Sequence, residues 1–170
     1  MSGPMKSLLM MAAVVAISAP AFLAAATAPD CVDVTPGVEQ MTPGQLRISP
    51  EVGDGNRLDV LVATSAEARA AGFQQICPET IADTAILFRF ERDTRVPFHM
   101  RNVHAPLDIA FIDARGVVVD IQRMEPYVAS VVFTRQPRYQ SQAPFRLALE
   151  TEAGRMKELG ISIGTRLYLE

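Results

Sequence analysis

Tryptophan is absent from the 170 residues, and only two histidines (His99, His104) and two cysteines (Cys31, Cys77) are present. Two distant cysteines form neither a C-x-x-C redox pair nor a zinc-finger spacing. The chain has no H-E-x-x-H, no phosphate-cradling glycine loop and no G-x-S-x-G, so Ser130 and Ser141 lack a nucleophile context. It also lacks a basic run. At a formal charge of −3 it carries no electrostatic footprint for nucleic acid or for an anionic membrane surface. No internal repeat is visible, and no cofactor motif names a cofactor.

What is present starts with an export leader. Lys6 precedes an apolar run from Leu8 to Leu23, and Ala24-Ala25-Ala26 and Ala26-Thr27-Ala28 both suit small-x-small cleavage. Residues 1–28 are read as a signal peptide, 29–44 as an N-terminal tail and 45–170 as one β-rich domain. No integral membrane segment is expected once the leader is removed, and the product is expected in the periplasm or secreted. In an oxidising compartment Cys31 and Cys77 are expected to pair.

Strands are expected over 45–49, 57–63, 85–90, 108–112, 117–121, 145–150 and 164–169. Residues 53–56 and 113–116 have turn composition, while 128–139 reads as strand or apolar loop. Residues 77–80 read as a chain break and 91–95 as a charged connection. Two short helices are expected. One covers 65–71 behind a capping box with Thr64 as N-cap, and the other covers 153–159. Residues 108–112 are apolar on both faces, and 145–150 alternate as a half-buried strand does. Short, evenly spaced strands predict a mainly β fold, a jelly-roll-like sandwich or partly open barrel of antiparallel strands.

Several blocks carry a family likeness: Ala85-Ile86-Leu87-Phe88, Phe98 to Asn102, Ala105-Pro106-Leu107-Asp108 through Asp113, and later Tyr139, Ala143-Pro144, Leu149-Glu150 and Gly160-Ile161. Together they resemble the family called domain of unknown function 192, over about residues 45 to 170. The resemblance implies a small β-rich fold, often behind a signal peptide, and no reaction or cofactor. His99 stands where the family usually has tryptophan, and Gly72-Phe73-Gln74 where it has Gly-Leu-Met.

Polar groups gather beside the central apolar strand. A cleft bordered by His99, Arg101, Asn102 and Asp108, with Tyr127 and Tyr139 as stacking groups, is expected to bind a small polar ligand, a glycan or an envelope partner without catalysis. A hydrolase using Asp108 and His99 as an acid-base pair is the alternative. A purely structural network, with Asn102 or Arg101 donating to Asp108, needs no ligand at all. His99, Met100, His104 and Met124 have copper-suited chemistry. In an extended segment, however, His99 points opposite to Met100 and His104, so no metal site is assigned.

Overall fold

A computed structural model describes residues 31–49 and 56–170. The leader and most of the turn expected over 53–56 lie outside the described residues. The elements run α1 (Pro36–Glu39), β1 (Thr42–Ser49), β2 (Asn56–Ala63), α2 (Ala66–Ala71), α3 (Pro78–Asp83), β3 (Ala85–Thr94), β4 (Leu107–Ile112), β5 (Val118–Met124), a 3-10 turn (Phe133–Arg135), β6 (Phe145–Glu152), α4 (Arg155–Glu158) and β7 (Arg166–Leu169). The seven strands form one sheet in the order β5-β4-β6-β3-β2-β1-β7. The fold is mainly β, as expected.

The sheet curls until its two edges meet. Val118 N–H donates to Thr165 O (2.9 Å), Gly164 N–H to Val118 O (2.8 Å) and Leu167 N–H to Gly116 O (2.8 Å). The result is a half-barrel that protects edges otherwise open to pairing with another chain. Gly116 sits at the junction with φ +81°, and a Cβ there would lie 2.5 Å from Leu167 O. Only glycine fits that approach.

Each face of the sheet carries its own core. The inner core takes side chains from all seven strands, among them Leu46, Val60, Leu87, Ile112, Val118, Leu149 and Leu167, and Met156 of α4 joins them. The outer core covers β3, β4 and β6 with Ala68 of α2, Ile81 of α3, Phe73, Ile76 and the segments that flank β4. Fully burying each large apolar side chain contributes about 1.5–3 kcal/mol. This two-sided burial explains why 107–112 is buried throughout.

Local details depart from the sequence reading. Ser65, not Thr64, caps α2, its Oγ accepting from Ala68 N–H (3.0 Å). Residues 77–80 do not break the chain, because Pro78 sits in the first turn of α3, where its missing N–H costs nothing. The helices α2 and α3 form the crossover that joins β2 to β3, the parallel pair in the sheet. Residues 91–94 continue β3, whose register against β6 shifts between Arg89 and Thr94. β6 is a central strand between β4 and β3, not a half-buried one.

Cys31 and Cys77 form a disulfide across a sequence separation of 46. Closing such a loop is worth about 3–4 kcal/mol in the chain-entropy account. The tail is also held by Val32 N–H on Gln75 O (2.8 Å) and Cys77 N–H on Val32 O (3.0 Å), and α1 packs on α2.

Gly116→Ala is expected to lower stability by about 1–3 kcal/mol, since it combines a left-handed φ with a contact against Leu167 O. Urea unfolding of the parent and the variant measures the difference. Equal midpoints would show that the edge junction is not under this constraint.

Candidate functional site

The outer cover leaves a cavity of about 230 Å³ between the C-terminal end of α2, β3, β6 and the segment after β3. Its aromatic wall is Phe73, Phe88, Phe90 and Phe98. Phe98 meets Phe88 edge-on at 5.2 Å, and Phe90 meets Phe145 at 5.6 Å. The segment carrying Phe98 and His99 is fixed by a backbone pair with Tyr139, Phe98 N–H to Tyr139 O (2.7 Å) and Tyr139 N–H to Phe98 O (3.0 Å). Arg69 of α2 lines the cavity, its Nη1 donating to the carbonyls of Thr64 and Arg89 and its guanidinium 5.1 Å from the Phe90 ring centre.

Glu150 also lines this cavity. It is 5% exposed, and among the described residues its carboxyl has no hydrogen-bond or ion-pair partner. Its register neighbours are Ile86 on β3 and Ile109 on β4, both in the outer core. Gly72, at φ +48°, closes over it: a Cβ at that position would meet Phe88 Cζ at 3.4 Å and Glu150 Oε2 at 3.8 Å. Burial pushes the Glu150 carboxyl up to about 8. A carboxyl in largely apolar surroundings and without an ion-pair partner favours its protonated form, because the charged form is poorly solvated.

His99 stands at the same cavity, half-buried. Burial holds its imidazole below the ordinary histidine value, and the charges of Arg138 and Arg101 lower it further, against a backbone hydrogen bond that raises it. The ring is therefore neutral at pH 7, and the surrounding field is positive.

The six residues expected to share one cleft are divided. Arg101, Asn102 and Tyr127 line a second cavity of about 360 Å³ with Phe133, Gln136 and His104, whose Nε2 is buried without a partner. Asn102, at φ +54°, accepts from Gln75 N–H through its carbonyl (2.7 Å), which ties this loop to the α2–α3 connection. Tyr127 packs on Phe133 at 6.1 Å, and the Tyr139 hydroxyl accepts from Glu125 N–H (2.9 Å).

Asp108 belongs to neither cavity. It accepts from Arg123 Nε and from Gly154 N–H (2.7 Å), so its donors are not Asn102 or Arg101. Along β4 it shares the inner face with Ala110 and Ile112, whereas Ile109 and Phe111 face outward, towards the side of His99. An Asp108–His99 acid-base pair is therefore not formed. The copper set does not converge either. His99 lines the first cavity and His104 the second with Met100, while Met124 is fully buried in the outer core. Among the described residues no three His, Cys, Asp or Glu side chains group as a metal site.

Glu150 and Arg69 were missed as site residues. The alternation of 145–150 suggested that glutamate faced solvent, but the segment is a central strand and its outer face is covered. The available signal was Leu149-Glu150 among the blocks that carry the family likeness.

A fold and a cavity of this kind place the chain among small half-barrel proteins with a covered outer face. Residues 49–169 match DUF192, described as "Uncharacterized ACR", and the chain belongs to that family. No curated protein matches the sequence. The fold is similar to a crystal structure from Sinorhizobium meliloti 1021, described as a candidate transcription regulator, at TM-score 0.62 and 28% identity, covering 76% of this chain and 95% of that one. It is also similar to a protein of unknown function from Novosphingobium aromaticivorans DSM 12444, at TM-score 0.60 and 20% identity, covering 79% and 98%. The second likeness concerns the fold alone.

Glu150 gives stability a definite pH dependence. The folded carboxyl keeps its proton to about pH 8 and the unfolded one only to about 4.5, so the folded state binds more protons in between. Stability therefore falls as pH rises through that window and levels off above it. Between about pH 6.5 and 8.5, above the ordinary histidine range, the parent should lose about 2 kcal/mol and Glu150→Gln almost none. Urea midpoints at the two pH values measure this. Parallel losses in both proteins would show that Glu150 is not the group involved.

Proposed function

We propose that this chain is an exported domain that binds a small polar ligand, without catalysis, in the outer-face cavity over Glu150. The observation that carries the reading is the Glu150 carboxyl, on a residue only 5% exposed, which lines the cavity and has no hydrogen-bond or ion-pair partner among the described residues. An unpaired polar group in an apolar setting costs stability, and such costs cluster at functional sites. The neutral imidazole of His99 and the guanidinium of Arg69 add polar groups at the same place, and four phenylalanines supply apolar contact. Convergent polar groups on an apolar wall are what small-molecule sites use. At about 230 Å³ the cavity is smaller than the ~300–1,000 Å³ of drug-sized sites, which favours a compact ligand over a glycan chain or a protein surface.

Export is supported by the apolar leader and by the Cys31–Cys77 disulfide, a bond characteristic of oxidising compartments. The regulator description given to the Sinorhizobium meliloti relative is not extended to this chain, whose acidic balance lacks a nucleic-acid footprint.

The test is a thermal-shift screen of the mature domain against small acids, amines, alcohols, sugars and metal ions. A binding compound raises the melting temperature of the parent, and Glu150→Leu abolishes that rise. Asp108→Asn serves as the contrasting variant. It should weaken the ties of β4 to Arg123 and Gly154, lowering the melting temperature while leaving the ligand-induced rise intact. A rise that survives in Glu150→Leu but disappears in a folded Asp108→Asn would move the site away from this cavity. A screen without any rise would count against ligand binding altogether.

A further inference from the structure

We propose that the ligand of the outer-face cavity is a small monocarboxylate with an apolar body, its carboxylate held between the carboxyl of Glu150 and the guanidinium of Arg69, and its body against Phe88, Phe90 and Phe98. This rests on the binding reading above and names its ligand class.

The charges around the cavity decide the sign. Its lining holds one carboxyl, Glu150, and one guanidinium, Arg69. Arg101 and Arg138 lie close enough to lower the pKa of His99. With Glu150 protonated the lining is net positive. An ammonium ligand would enter that field and would also have to drive a buried carboxyl to ionise. The Phe90 face, a seat for a cation, is already taken by the Arg69 guanidinium. A carboxylate meets the opposite situation. A neutral carboxyl donates its O–H to a ligand oxygen, and a hydrogen bond to an ionised acceptor is short and strong. Arg69 uses Nη1 for the carbonyls of Thr64 and Arg89, and among the described residues its other guanidinium nitrogens make no hydrogen bond, which leaves them for the second ligand oxygen. A protonated carboxylic acid kept neutral by an apolar site is an established way of making such a donor. A dianion fits less well, since one guanidinium and one O–H leave most of its oxygens unpaired against phenylalanine.

Among the described residues the other titratable groups that line this cavity are Arg69 and His99. From β3 it meets Ile86 and Phe88, and from β4 Ile109. The end of α2 brings Arg69, the segment after β3 brings His99, and no residue of α3 lines the cavity. Glu150 keeps its proton to about pH 8. Carboxylate affinity should therefore be level below about pH 7 and fall by up to about tenfold per pH unit above 8, where ionised Glu150 repels the ligand.

The experiment is calorimetric titration of the full mature domain with benzoate, phenylacetate, benzyl alcohol and benzylamine at pH 6.5, 7.5 and 9. The expected result is that benzoate or phenylacetate binds at least about tenfold more tightly than the alcohol and the amine, and weakens at pH 9. Glu150→Gln, which retains a donor, should bind the carboxylate at pH 7.5 within a few-fold of the parent and lose the pH dependence. Arg69→Met should lower carboxylate affinity while leaving the alcohol unchanged. A benzylamine preference that strengthens towards pH 9 overturns the carboxylate class and leaves the binding site standing. Silence of both carboxylates also overturns it, and the binding reading falls with it only if the wider screen is silent too. Carboxylate binding with an unchanged pH profile in Glu150→Gln would show that the ligand is held elsewhere.

Discussion

A sheet whose strands carry apolar side chains on both faces must cover both, and this requirement shapes the molecule. Curling covers the inner face, because seven strands then point their side chains at one another and the edges join through Gly116, Val118, Gly164 and Leu167. Curling cannot cover the outer face of β3, β4 and β6. The chain covers it with α2, α3 and the long segments on either side of β4 and β5. Such a cover is assembled from short pieces, each too small to be stable alone. The cavity lies where those pieces meet.

Glu150 makes the arrangement intelligible. A leucine at that position would extend the outer core between Ile86 and Ile109 and remove a stability cost. Instead the site keeps a carboxyl that none of the described residues pairs with, and Gly72 lies over it at φ +48°. Elsewhere the chain is careful with buried charge. Asp108, on the inner side, receives one charged donor and one backbone N–H. The Cys31–Cys77 disulfide and the Phe98–Tyr139 backbone pair anchor two of the covering segments, which keeps the walls in place around an unfavourable group.

Much of the scaffold was legible from residue pattern, because β-branched runs separated by turn residues are local signals. The hairpin of β4 and β5, with Asp113 accepting from Arg115 N–H and Val117 N–H in its turn, followed directly from its composition. The disulfide followed from compartment and cysteine count. The helix α3 was hidden because Pro78 reads as a breaker unless it sits in a first turn. The place of β6 was hidden for a stronger reason. Periodicity reports the faces of a strand, whereas burial depends on which strands flank it and what lies over it, and both are set by distant residues. The same fact concealed Glu150 and gave too much weight to polar residues that are neighbours only in sequence.

The segment from Phe98 to His104 shows how sequence proximity and spatial proximity separate. His99 is directed to the first cavity, Arg101, Asn102 and His104 to the second, and Val103 lines both. One stretch of backbone is thus a common wall. It is held by Tyr139 at one end and by Gln75 N–H on the Asn102 carbonyl near the other. The cations that depress His99 come from this wall and from Arg138, and Arg101 and Arg138 both also pack on Phe133, the first at 5.6 Å and the second at 4.8 Å from its ring centre. The two guanidinium groups that act on His99 are therefore held partly by the aromatic residue of the neighbouring loop. The charges that act on His99 and the packing on Phe133 thus involve the same two arginines.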